Sequence, residues 1–98
     1  MGKAETEVEK LLTSEVKKLG GMAFKFVSPG CTGVPDRLIC LPNGGTWFAE
    51  VKTATGKLSA RQRVVVDRLA RLKQKVIVLY GKDDVQQFIR QLSEDLQR

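Results

Sequence analysis

Apolar side chains recur at helical spacing from the start of the chain. Val8, Leu11, Leu12, Val16 and Leu19 share one face of residues 4–19, and Gly20-Gly21 supplies a C-cap. From Met22 to Val27 the period drops to two, with Phe24 and Phe26 on one face and Ala23, Lys25 and Val27 on the other, which predicts a short strand. Residues 28–35 are rich in glycine and proline and read as a loop. Two further runs, Asp36–Leu41 and Thr46–Thr53, flank Pro42-Asn43-Gly44-Gly45 and form a β-hairpin signal. Leu38, Cys40 and Phe48 lie on one side of the hairpin; Ile39, Leu41, Trp47, Ala49 and Val51 lie on the other. Strands apolar on both sides belong in the middle of a sheet covered on both faces. Ser59 is placed to N-cap a second helix over residues 60–74, with Val65, Leu69 and Leu72 as its buried stripe. Lys75–Tyr80 reads as a fourth strand. Asp83 or Asp84 then caps a last helix, running to about Leu96 and burying Val85, Phe88, Ile89 and Leu92. The order α-β-β-β-α-β-α, without repeat or linker, predicts one α/β domain over residues 1–98, a mixed four-stranded sheet flanked by helices.

Composition narrows the chemistry. A chain of 98 residues, 42% hydrophobic and 29% charged, can bury one modest core. No apolar run approaches the ~20 residues of a membrane span and no signal-peptide pattern opens the chain. The expected location is therefore the cytoplasm, with no membrane partner. Cys31 and Cys40 lack metal-ligand spacing and read as reduced thiols, Cys40 in the core. The absence of histidine removes Ser-His-Asp and Cys-His catalysis, histidine-based nucleases and a zinc site. Carboxylate, lysine, hydroxyl and hard-metal chemistry remain. A net charge of +6 favours a polyanionic partner.

One constellation meets those limits. With Asn43–Gly45 as the hairpin loop, Asp36 falls opposite Lys52 and diagonal to Glu50, and all three project from one face. Slipping the register by one residue would break that parity. Two carboxylates and a lysine on otherwise apolar strands suit a hard divalent ion, which takes one or two carboxylates together with waters and substrate phosphate. The backbone carbonyl of Val51 is a further candidate ligand. A cross-strand salt bridge of Lys52 with either carboxylate is the structural alternative.

Glu5, Gly33-Val34-Pro35-Asp36-Arg37, Phe48-Ala49-Glu50-Val51-Lys52 and Leu58-Ser59-x-x-Gln62 resemble the VRR-NUC family, a branch of the PD-(D/E)xK nucleases, over residues 4–90. The resemblance implies a restriction-endonuclease-like core and metal-dependent cleavage of DNA with Mg2+ or Mn2+, often at branched structures. Short standalone members resemble phage or bacterial proteins acting as homodimers on Holliday junctions, which would place a phage-encoded chain in the bacterial cytoplasm. By the same resemblance Asp36 and Glu50 hold metal, Lys52 is the catalytic lysine, Gln62 joins the site, and a glutamate of the first helix is a further metal ligand. Helical geometry brings Glu5 about 45° from the centre of the apolar stripe and Glu7 about 115°. Glu15 also faces the stripe but lies a helix-length further on, and the resemblance favours the first turn, so Glu5 is taken, with Glu9 in reserve. Glu5 also suits a helix first turn by its charge, and Ser59-x-x-Gln62 is by itself a capping box.

Lys25, Arg37, Lys57 and Arg61 are candidate contacts to the DNA backbone; Gly30 and Gly33 either let DNA approach or shape their loop. A homodimer would use the apolar part of the first or last helix. The rival class is a DNA-binding module, or a partner-dependent nuclease subunit, with a non-catalytic site.

Overall fold

The computed structural model describes residues 3–98. Seven elements appear in the expected order: α1 (Lys3–Lys18), β1 (Met22–Lys25), β2 (Arg37–Cys40), β3 (Thr46–Lys52), α2 (Ala60–Arg71), β4 (Val76–Tyr80) and α3 (Gly81–Leu96). The strands form one mixed sheet in the order β1-β2-β3-β4, antiparallel except for the parallel β3–β4 pair that α2 connects. Among the described residues no helix is long and apolar enough to cross a membrane.

The odd-numbered face of the central strands carries the core. Ile39, Ala49, Val51 and Leu79 are fully buried there against Val8, Leu12 and Val16 of α1 and Val85, Phe88, Ile89 and Leu92 of α3. Trp47 closes one end, edge-on to Phe88 at 5.1 Å between ring centroids. Both long helices therefore spend their apolar stripes in the core, which removes them as the dimer surface expected from their patterning.

The other face is only partly covered. Helix α2 buries none of its residues completely: Val65 and Leu69 are half-buried, and Leu72, expected in the buried stripe, is 65% exposed because the helix ends at Arg71. Cys40, expected in the core, is half-buried on this face, and Phe24 and Met22 are exposed. The double-sided apolar pattern thus reflects one deep core and one thinly covered face.

Two boundaries also move. Strand β1 stops at Lys25, although Phe26 N–H still donates to Asp36 O at 2.8 Å. Helix α3 starts at Gly81, and Asp84 acts by reaching back to accept the Tyr80 N–H at 2.9 Å.

The hairpin register differs by two residues from the expected one. Leu41 N–H bonds Gly45 O at 2.8 Å and Gly44, at φ +87°, donates to Leu41 O. The loop is therefore Pro42–Gly44, and Leu38 pairs with Phe48 rather than Glu50. Continued by one residue, this register sets Asp36 opposite Glu50. A shift of two preserves parity, so the shared face survives.

Candidate active site

The site forms where β2 and β3 part. Phe48 N–H donates to Lys75 O, so the even residues of β3 direct their backbone groups to β4 and the odd ones to β2. Strand β2 ends at Arg37, opposite Ala49. Val51 therefore has no β2 backbone partner, and its N–H donates instead to Asp36 Oδ2 at 3.1 Å. Its carbonyl, beyond the end of the ladder, opens on the same fork. Pro35, buried, holds the chain as it enters this fork.

Glu50 is the centre of the group. It is 1% exposed, the buried charged residue among those described. Its Oε2 accepts from Gln62 Nε2 at 3.1 Å and lies 3.8 Å from Lys52 Nζ. Its Oε1 is buried without a hydrogen-bond partner. Burial pushes the carboxyl pKa up to about 8; the neighbouring Asp36 carboxyl adds to the rise, Lys52 opposes it, and Glu5 adds a smaller push.

The expected residues divide cleanly. Asp36, Glu50, Lys52, Gln62 and the Val51 backbone converge, and Glu5 is near enough to act on Glu50. Glu9, the reserve carboxylate, is committed elsewhere: its Oε1 lies 3.5 Å from Arg37 Nε. Arg37 also donates to Ala23 O at 3.3 Å, so both its partners hold it beneath α1 rather than offering it to DNA. Glu7 points out to Lys82. Lys25 and Lys57 are exposed, as is Arg61, whose Nε donates to Thr32 Oγ1 at 2.8 Å.

Gln62 has two jobs at once. Its Oε1 accepts from Ser59 N–H and its own N–H donates to Ser59 Oγ, completing the capping box, while Nε2 faces Glu50. The structural and site readings of this residue are compatible because the amide has an acceptor and a donor end. Gly33 shows something the sequence left open. A Cβ there would sit 2.8 Å from Arg61 O, and φ is +88°, so this glycine lets the loop close onto α2 rather than onto a ligand. Gly30 has open space around it.

No protein-family model matches the chain. It is 51% identical over 79 residues to Putative nuclease p44 of Acyrthosiphon pisum secondary endosymbiont phage 1, covering 81% of this chain and 85% of that protein. Its fold superposes on a solved VRR_NUC domain with a TM-score of 0.84 at 27% identity, over 91% of this chain and 97% of that one. The chain belongs to the VRR-NUC family of nucleases.

VRR-NUC nucleases are generally dependent on a divalent metal, and the donors of this VRR-NUC domain fit one. A buried, unpartnered carboxylate oxygen beside a second carboxylate is costly without a cation, and both are hard oxygen donors. Among the described residues no three acidic, cysteine or histidine side chains are grouped so that they could hold a metal ion together. Magnesium does not require such a group, since waters and substrate phosphate complete its shell.

Proposed function

We propose that this VRR-NUC chain is a divalent-metal-dependent endonuclease that hydrolyses phosphodiester bonds of branched DNA, such as four-way junctions, as a homodimer in the cytoplasm of its host. The observation that carries the reading is the buried Glu50 carboxylate, held beside Asp36 and Lys52 with one oxygen unsatisfied. Asp36 and Glu50 would hold Mg2+ or Mn2+ with the Val51 carbonyl, and Glu5 on α1 would add negative charge to the site without being a third direct ligand. The ion would supply Lewis-acid polarisation of the scissile phosphate and a more acidic bound water.

The protein's own groups do the rest. Gln62 fixes one oxygen of Glu50 and so keeps the other aimed into the fork. Lys52 stands on the same strand face, where its ammonium orients the attacking water and offsets charge growing on the phosphoryl oxygens. Lys52 is ion-paired with Glu50 at 3.8 Å, longer than a hydrogen bond, so its ammonium hydrogens would remain available to phosphate and water. Two-fold symmetry would supply the paired cuts that a junction requires.

Incubation of the purified protein with a four-way junction and Mg2+ or Mn2+ should yield cleaved strands. Junction binding in Ca2+ without cutting in any metal, even at high enzyme, would leave a binding module in place of the enzyme. Lys52→Ala should reduce cutting by at least a hundredfold while junction binding persists, a loss typical of removing one transition-state contact. Cutting by this variant at the wild-type rate would reassign the lysine.

A further inference from the structure

The excess charge of this protein is gathered on one segment, α2 and its flanks. Residues 57–75 carry Lys57, Arg61, Arg63, Arg68, Arg71, Lys73 and Lys75 against Asp67 alone, a net +6 that equals the whole chain's excess. The remaining residues balance, with ten basic and ten acidic side chains. The ion pairs among the described residues, Lys18–Glu15, Arg37–Glu9, Lys52–Glu50 and Lys82–Glu7, involve none of that basic set. Helix α2, which bears most of it, buries no residue completely.

Position on the helix separates these charges. The half-buried residues Gln62, Val65, Val66 and Leu69 define the inward side of α2. At about 100° per residue, Arg61, Arg68 and Arg71 fall within an arc of about 80°, while Arg63 lies about 120° from its centre. Lys75 is turned to the other side of the sheet, 5.8 Å from the Trp47 ring centroid. The arc begins at the active site, because Arg61 adjoins Gln62, whose amide reaches Glu50 at 3.1 Å. It runs away from the site for about 15 Å at 1.5 Å rise per residue. Arg61 is seated by its Nε on Thr32 and is exposed.

We propose that Arg61, Arg68 and Arg71 form a phosphate-gripping track along α2 that holds the DNA arm leading away from the cut. This rests on the nuclease reading above and adds where the substrate lies. A 15 Å track matches about four to five base pairs at 3.4 Å per step along one strand. The contacts go to phosphates and carry no base preference, so the track suits substrates chosen by shape. An exposed cationic helix without acidic partners would otherwise be a solubility feature, but such a feature needs no arc of one sign beginning at the catalytic group.

Binding of the full-length protein to a four-way junction in Ca2+, titrated over a range of salt, tests the track. The double variant Arg68→Ala/Arg71→Ala should bind more weakly and lower the slope of log affinity against log salt by about 1.8, at about 0.9 for each phosphate no longer neutralised. Arg63→Ala and Arg90→Ala, off the arc and on α3, should leave the slope as in the wild type. A double variant with the wild-type slope, or an Arg63→Ala slope reduced by about as much per charge, would overturn the track in favour of diffuse attraction. Wild-type cutting in Mg2+ or Mn2+ keeps this outcome separate from failure of the nuclease reading, which would show as a wild-type protein that never cuts. Circular dichroism of each variant separates a weakened grip on phosphate from an unfolded chain.

Discussion

The group that decides most at the residue scale is Glu50. Its pKa of about 8 means that the folded protein holds a proton which the unfolded chain, near 4.5, has already released. Stability from this group is therefore present at low pH and is lost as pH rises from about 4.5 through about 8. With no histidine in the chain, few other side chains titrate between pH 5 and 8. The metal-free protein should show a thermal midpoint that falls across that window. Glu50→Gln, which keeps the shape and removes the charge, should flatten the profile. A wild-type midpoint that is level or rising from pH 5 to 8 in chelator would contradict the assigned shift. By the same linkage a divalent ion held by Glu50, as proposed above, would displace the proton, so its apparent affinity should increase with pH up to about 8.

At the scale of elements, α2 is the lightly held piece of an otherwise well-packed molecule. The Gln62–Glu50 bond, the Arg61–Thr32 bond and the Gly33 approach fasten its first turn, and Val65 and Leu69 give the rest a shallow seat. Gly33→Ala would meet both the Arg61 carbonyl and an unfavourable φ, costing roughly 1–3 kcal/mol. It should lower stability and slow cutting together, because the displaced first turn carries Gln62 away from Glu50. Gly30→Ala, with nothing within 4 Å, is the matched control and should change neither. Equal stability of the two variants in chemical denaturation would show that the loop does not position α2. The capping box at Ser59 was legible in the sequence because it is local, four residues long and defined by residue type. The clasp between Thr32-Gly33 and Arg61 was not, since twenty-nine residues separate Thr32 from Arg61 and nothing local signals their meeting.

For the whole molecule, the distribution of apolar surface bears on self-association. Both long helices are used up in the core, whereas Met22, Phe24 and Val27 at the β1 edge, Val64 on α2 and its C-cap Leu72 remain more than 40% exposed. The dimer proposed above should therefore bury sheet-side surface rather than the α1 or α3 stripe. Light scattering at assay concentration should report about twice 10.9 kDa, and Phe24→Arg should shift the protein towards the monomer. A wild-type protein that scatters as a monomer would remove the dimer while leaving the chemistry of each site intact.

What the sequence determined by itself was whatever depends on period and on residue type. The seven elements came from helical and strand spacing, and the common face of Asp36, Glu50 and Lys52 came from alternation along a strand. That face was secure even though the expected register was two residues out, because an even slip never moves a side chain through the sheet. The tertiary structure decided the quantities that depend on distance between remote segments. It put Asp36 opposite Glu50 and left Glu50 Oε1 unpartnered. It also assigned Glu9 to Arg37 and left one sheet face thinly covered. Burial and charge proximity set a carboxylate's proton affinity, and neither has a value until the chain has closed around it.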